Sequence, residues 1–372
     1  MDNLFSVAGG STVRLSAGTY DLESLVTARS LRIRGDGPST VIRCRLRSDH
    51  RSWLTCKGTS PLRLDIADVT LDASALPFDQ EKRRSTVEVD APDADVRLRD
   101  VTFRHGSDLD VRVIGRQGGD SHLLVDSCVF DGGRGSNERI FTACVRCHDN
   151  VHALVTHSRF IGPMTGQGRT GVVHQQMQAQ ETDRRGSLHV HGCRFRQIGY
   201  NDKDTYGAID AYSGVDCVRI TDNVVIDPQG RGIGVKADAS DVIISGNHVV
   251  GLKGKHATAC IALFGSKLQR LGGRRIVSNN TLLATEKGAK AILVDGSNVD
   301  DTQRLEGPLI TGNILHHDGL GILIKHTDRI EIIGNRIRGG WAGVHFAAMC
   351  GKNATLENNV ITDFEKQDVL YR

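Results

Sequence analysis

An asparagine recurs at one fixed place in a short repeated unit through the second half of this chain, and that recurrence limits the fold more than any other feature. The units are Ile220-Thr-Asp-Asn-Val-Val225, Ile244-Ser-Gly-Asn-His-Val249, Val277-Ser-Asn-Asn-Thr-Leu282, Ile310-Thr-Gly-Asn-Ile-Leu315, Ile333-Gly-Asn-Arg-Ile337 (read as one residue shorter) and Leu356-Glu-Asn-Asn-Val-Ile361. The column Asn223, Asn247, Asn280, Asn313, Asn335, Asn359 advances in steps of 24, 33, 33, 22 and 24 residues. Upstream, Val125-Asp-Ser-Cys-Val-Phe130, Val155-Thr-His-Ser-Arg-Phe160 and Val190-His-Gly-Cys-Arg-Phe195 continue the pattern without the asparagine. Periods of roughly 20–35 residues with strand-like alternation mean a solenoid. No single unit can bury its own apolar face, so neighbours stack about 4.8 Å apart around one shared core. An amide at the same corner of every turn can bond the next along the axis, which makes these asparagines structural.

Composition agrees. Of 372 residues 39% are hydrophobic but only 5% aromatic, with 42 glycines, which suits many short strands and turns better than a helical globule. A formal net charge of +3 falls short of a nucleic-acid binder's footprint. No run of about 18 apolar residues is present, so no membrane partner is expected. Nine cysteines, an odd number at irregular spacing, read as reduced packing residues rather than a disulfide framework. Met1-Asp-Asn-Leu-Phe5 lacks a basic region followed by a long apolar run. The expectation is therefore a cytoplasmic protein, or an exported one with its signal already removed.

Leu15-Ser-Ala-Gly-Thr-Tyr20, followed by Leu31-Arg-Ile-Arg-Gly-Asp-Gly37 and Thr40-Val-Ile42, resembles the start of pectate-lyase-like β-helix proteins, and the asparagine repeats resemble that superfamily over nearly the whole chain. The resemblance implies an all-β, single-stranded right-handed parallel β-helix of about twelve turns. One domain would cover 1–372, with a cap over 1–45, turns over 46–361 and a tail over 362–372. The superfamily includes polysaccharide lyases, hydrolases, C5-epimerases and phage tailspikes, so membership implies a fold and leaves the reaction open.

A second strand in each turn aligns by apolar pairs: Val111/Val113, Val145/Cys147, Val173/Gln175, Ile209/Ala211, Ile233/Val235, Ile261/Leu263, Ile292/Val294, Ile322/Ile324 and Val344/Phe346. Alternation sends these inward and their neighbours outward. Two outward columns result: Arg112, Arg146, His174, Asp210, Gly234, Ala262, and Ile114, His148, Gln176, Tyr212, Lys236, Phe264, Asp295, Lys325. This alignment makes His174 and Asp210 rung neighbours and leaves a hollow above Asp210 at Gly234 and Ala262. Insertions at 162–170, 179–186, 199–205, 266–275 and 297–307 would wall a groove over the columns.

Tyr206-Gly-Ala-Ile-Asp210-Ala-Tyr212 is similar to the Tyr-Gly-x-Asp-Pro-His motif of mannuronan C5-epimerases, though Asp210 falls one residue late and Ala211 and Tyr212 stand at the Pro and His positions. The likeness implies an acidic saccharide as substrate and carries over Tyr206, Asp210 and, loosely, Tyr212. The columns suggest related chemistry by themselves. Removing a proton alpha to a carboxylate needs a cation to neutralise it, a base and an acid. Lys236 or Arg146 could neutralise, His174 could be the base oriented by Asp210, and Tyr212 the acid. Arg112, Arg146, His148, Gln176 and Tyr206 would bind substrate, which could equally be a small anionic metabolite. A hydrolase instead needs two facing carboxyl groups, here Asp210 with Asp202 or Asp204. A non-catalytic, glycan-binding or tailspike-like solenoid is the remaining alternative, and assembly into a homo-oligomer is compatible with any of these.

No cofactor or metal is expected. Cys144-Val-Arg-Cys147-His148 matches the c-type haem attachment spacing, but a strand would point its two cysteines to opposite faces. Gly230-Arg-Gly-Ile-Gly234 opens a strand rather than a helix and reads as turn chemistry, not a phosphate loop. His189 and His191 share an outward face without a third ligand in register. Asn279-Asn-Thr281 and Asn353-Ala-Thr355 are glycosylation sequons only in a secreted chain.

Overall fold

A computed structural model describes residues 11–47, 49–76, 84–106, 108–116, 119–132, 142–162, 169–175, 186–201, 205–212, 215–236, 239, 241–252, 259–265, 273–297, 305–347, 350 and 353–371. Every regular element among them is a strand. No helix among them is long and apolar enough to cross a membrane. The fold is a right-handed parallel β-helix. Two compact units, Met1–Ser187 and Leu188–Arg372, are taken in turn.

In the first unit, one sheet contains Ser52–Lys57, Ser85–Asp90, Leu109–Ile114, Ala143–His148 and Thr170–Gln175, each parallel to the next. A second sheet includes Arg63–Asp72, Asp95–Arg104, Ser121–Asp126 and Val151–Thr156, also parallel. The core lies between them and is built by stacking like on like. Phe103, Phe130 and Phe160 form a column with ring centroids 4.8 and 4.7 Å apart, close to the spacing of hydrogen-bonded strands.

The second unit repeats this plan. Thr205–Ala211, Arg231–Lys236, Ala259–Phe264, Lys290–Asp295, Leu320–Lys325, Ala342–Ala347 and Gln367–Tyr371 pair in parallel order. The opposite sheet carries the asparagine column at a corner. The Nδ2 of Asn223, Asn247, Asn280, Asn313 and Asn335 each donates to the Oδ1 of the next asparagine at 2.9–3.0 Å. That same oxygen also accepts the backbone N–H of the previous asparagine. The residue before each asparagine is left-handed: Asp222, Gly246, Asn279, Gly312, Gly334 and Asn358 all have φ between 54° and 69°. Glycine, Asn and Asp tolerate that region best, which explains why the repeat places them there. In the first unit Ser127 and His157 take the same conformation, and Ser158 Oγ accepts the Cys128 N–H at 3.1 Å in place of an amide. One detail of the repeat is corrected. Ile332 pairs with Ile310, so the unit around Asn335 is full length and not a residue short.

Asn280→Leu should lower stability by roughly 2–3 kcal/mol, because the buried Asn247 backbone N–H loses its acceptor and the Asn247 amide loses one of its bonds, keeping those to the Ile220 and Ser245 carbonyls. Urea denaturation followed by circular dichroism measures this, and unchanged stability would remove the ladder's structural role.

Candidate functional site

The predicted patch divides between the units. Arg112, Arg146, His148 and His174 belong to the first, and Tyr206, Asp210, Tyr212 and Lys236 to the second. Gln176 lies outside the described residues, as do 163–168, 177–185, 202–204, 266–272 and 298–304, most of the expected groove walls.

In the first unit the register differs from the sequence alignment at one strand. Val145 pairs with Val172, Arg146 with Val173, Cys147 with His174 and His148 with Gln175. Val172 and His174 therefore face the core, and His174 leaves the outward column. Its Nε2–H donates to the Val151 carbonyl at 2.7 Å, and burial lowers its pKa to about 4. A Cβ on Gly186 would collide with both the Val151 carbonyl and His174 Nε2, so a glycine there makes room for the ring. The shift trades one buried polar side chain for another: His174 enters the core with Nε2 bonded and Nδ1 without a partner among the described residues. The expected register would have buried the Gln175 amide, whereas the observed one lets Gln175 Oε1 accept from Arg146 Nη2 at 3.3 Å. A one-residue change of register exchanges the two faces of a strand, which removes His174 from any role as a surface base.

The remaining first-unit residues sit where alternation placed them but engage partners the sequence reading missed. Arg112 lies beside Glu88 in register and pairs with it at 3.4 Å. Glu88 was detectable from the Val87/Val89 alternation around it. His148 is 1% exposed and donates from Nδ1 to the Gln175 carbonyl at 3.3 Å. Burial, reinforced by Arg146 and Arg112, lowers its pKa to about 2, so it is neutral.

In the second unit the aligned pairs hold. Ile209 meets Ile233, Ala211 meets Val235, and Asp210 lies beside Gly234. The hollow expected above Asp210 is filled by Arg231, a residue that sequence reasoning had assigned to a turn. Arg231 Nε donates to Asp210 Oδ1 at 2.8 Å, and its Nη2 donates to the Tyr212 hydroxyl at 2.7 Å. The Gly207 N–H takes the other Asp210 oxygen. Burial pushes the Asp210 carboxyl up, while Arg231 and the Gly207 amide oppose that shift. A Cβ at Gly234 would strike Asp210 Oδ1 and Arg231 Nε, so the glycine is what admits the guanidinium. The Arg231 guanidinium also lies 5.0 Å from the Phe264 ring centre. Lys236 Nζ stands 5.3 Å from the Tyr212 ring centre, and the Tyr206 ring packs edge-on against Tyr212 at 5.7 Å.

Register sets a further series beside this network. Lys236 lies next to Phe264, Phe264 next to Asp295, and Asp295 next to Lys325. Tyr212, Lys236, Phe264, Asp295 and Lys325 are all partly exposed, whereas Asp210, Ala262, Leu293 and Leu323 in the neighbouring column are buried.

The other motifs are occupied locally. All nine cysteines are thiols, and burial pushes Cys144 and Cys147 up to about 12. His189 Nε2 contacts Cys217 Sγ at 3.5 Å, while His191 Nδ1 bonds Thr221 Oγ1 at 3.0 Å. Among the described residues no group of three His, Cys, Asp or Glu side chains could hold a metal ion.

No family model and no curated protein sequence matches this chain. Among solved structures it resembles the tailspike protein of E. coli bacteriophage HK620, captured as a mutant with a pentasaccharide, at 13% identity over 97% of this chain and 72% of that one, TM-score 0.60. A second mutant of the same tailspike, also with pentasaccharide, gives 14% identity over 100% and 73%, TM-score 0.53. The A-module of the Azotobacter vinelandii mannuronan C-5 epimerase AlgE6 overlays at 13% identity over 96% and 92%, TM-score 0.42.

Proposed function

We propose that this β-helix is a carbohydrate-active protein that engages an acidic saccharide along the series Tyr212, Lys236, Phe264, Asp295, Lys325. One observation carries this reading: aromatic and cationic side chains hold four of five consecutive rungs, with Asp295 on the other, and all five stay within solvent reach while the adjacent column is buried. Rungs about 4.8 Å apart match the length of a sugar ring. Aromatic faces offer large contact area at low entropic cost, and ammonium groups neutralise carboxylates. The pentasaccharide in the tailspike structures agrees with a saccharide ligand.

For the reaction, the series holds two of the three groups that proton abstraction alpha to a uronate carboxylate needs, a cation and an acid, while the base role expected of His174 falls away with its burial. Lys236 neutralises the carboxylate. Tyr212 is the proton donor: its hydroxyl oxygen accepts from Arg231, which leaves its own proton for substrate. Burial, with the Asp210 charge second, raises its pKa and keeps that proton in place. Both Asp210 oxygens are already engaged, so Asp210 positions Arg231 and Tyr212 and is a poor hydrolytic carboxylate. The same engagement favours a second reading, recognition of the saccharide without turnover.

Screening uronate oligosaccharides separates these readings. Growing ultraviolet absorbance indicates a lyase, C5 proton exchange alone an epimerase, and new reducing ends alone a hydrolase. Binding with none of these supports recognition only. Phe264→Ala and Lys236→Ala should each weaken binding by about tenfold, with the Lys236 loss shrinking at high salt. If both variants bind like the wild type, the series is not the saccharide site.

A further inference from the structure

The first unit carries a second, chemically different surface. Val13, Ile33, Ile66 and Leu98 face the core from four consecutive strands, so the residues flanking them face out. One outward column reads Thr12, Arg32, Asp65, Arg97 and the other Arg14, Arg34, Ala67, Arg99. Five arginines thus share two columns with a single acidic residue, Asp65. Asp65 is 1% exposed and is shared among Arg32 at 3.3 Å, Arg34 at 3.3 Å and Arg99 at 3.4 Å. Arg97 is taken by Asp95 at 2.9 Å. Arg14 has no carboxylate within ion-pair distance among the described residues.

At several other places the chain sets opposite charges on adjacent rungs: Arg45 pairs with Asp21, Arg116 with Asp90, Arg274 with Asp241 and Arg338 with Asp363, although Arg112 also lies beside Arg146. Here Arg14 lies directly beside Arg34 in register. Like charges facing each other across strands are destabilising unless something neutralises them. A cleft of about 570 Å³ opens at this place, lined by Thr12, Arg14, Arg32, Arg34, Gly35 and Asp36. Of the three guanidinium groups in its lining, Arg32 and Arg34 share Asp65 and Arg34 also reaches Asp68 at 3.7 Å, which leaves Arg14 as the one without a carboxylate among the described residues.

We propose that this cleft binds a multiply charged oxyanion, a phosphate or sulfate group held by the guanidinium forks of Arg14, Arg32 and Arg34. Guanidinium groups match such oxygens with paired, charge-assisted hydrogen bonds, which a scatter of solvated lysines does not. The group can arrive as a free ion or as an ester on a larger molecule, and both offer the same terminal oxygens.

Calorimetric titration of the full chain with inorganic pyrophosphate at low ionic strength tests this. Arg14→Ser should raise the Kd by about tenfold with a melting temperature equal to or slightly above that of the wild type, since Arg14 is exposed and its removal relieves the like-charge pairing with Arg34. Arg336→Gln, an equal charge change on an exposed arginine of the second unit, should leave the Kd unchanged. Comparing inorganic phosphate with glucose 6-phosphate then distinguishes the sources: tighter binding of the ester assigns the cleft to esterified groups, and tighter binding of phosphate to the free ion. Absence of pyrophosphate binding, or equal loss in the Arg336→Gln control, overturns the proposal. Neither result bears on the Tyr212–Lys325 series, which Arg14→Ser leaves intact.

Discussion

Arg231→Ala should cost on the order of 3–5 kcal/mol of stability, the usual penalty for removing one partner of a buried ion pair. Asp210 is fully buried and Arg231 is 7% exposed, so the alanine variant strands a carboxylate that water cannot reach. Among the described residues the Gly207 N–H then remains as its donor, and Tyr212 loses the guanidinium that fixes its hydroxyl. Asp210 must then either ionise unpaired or take up a proton, and both cost free energy. Removing both charges should cost less than removing one, because apolar pairs often replace buried ion pairs with little loss. A double-mutant cycle with Asp210→Leu and Arg231→Met, read from urea midpoints, checks this. Additive losses would mean that the two side chains do not act as a pair. Gly234→Ala should resemble the single variant, since its methyl would occupy the space in which the two side chains meet.

Acidification from pH 7 to 5 should destabilise the fold by about 4 kcal/mol. Three buried imidazoles drive the effect: burial lowers His148 to about 2, His174 to about 4 and His317 to about 4. Below the ordinary value of 6.5 the unfolded chain binds protons that these native rings refuse. Stability is therefore complete above about pH 6.5 and is lost as pH falls towards the folded values, at roughly 2 kcal/mol per ring by pH 5. Asp110 works in the opposite direction. Burial against Arg169 raises its carboxyl to about 6, so the native state binds the extra proton there and gains roughly 1 kcal/mol over the same interval. Asp210, also raised, adds to that opposing sense. Thermal melts at pH 7, 6 and 5 measure the balance. His174→Asn should flatten the profile by about half, roughly 2 of the 4 kcal/mol, and an unchanged profile would mean that His174 is not a neutral core residue.

How much was legible depends on whether a rule is local or tertiary. The asparagine column was legible because its cause is local and periodic. A left-handed residue followed by an amide forms the same corner each time, so the ladder from Asn223 to Asn359 follows from spacing alone. The rungs of the second unit were legible for the same reason, since Ile209, Ile233, Ile261, Ile292 and Ile322 recur at one strand position with an apolar residue two places on, in register from rung to rung. Two decisions were beyond the reach of spacing. Thr170-Gly-Val-Val-His-Gln175 offers adjacent valines, so either register hides one of them. The choice was made by the Val151 carbonyl, the space left at Gly186 and the Arg146 guanidinium waiting for Gln175. Arg231 looked like part of a glycine-rich turn, and only the packing of neighbouring rungs brings its guanidinium onto Asp210 and Tyr212. Alternation fixes which residues can face outward. Which of them remain available for chemistry is decided by long side chains crossing between rungs to satisfy buried charge, and that is a property of the folded coil.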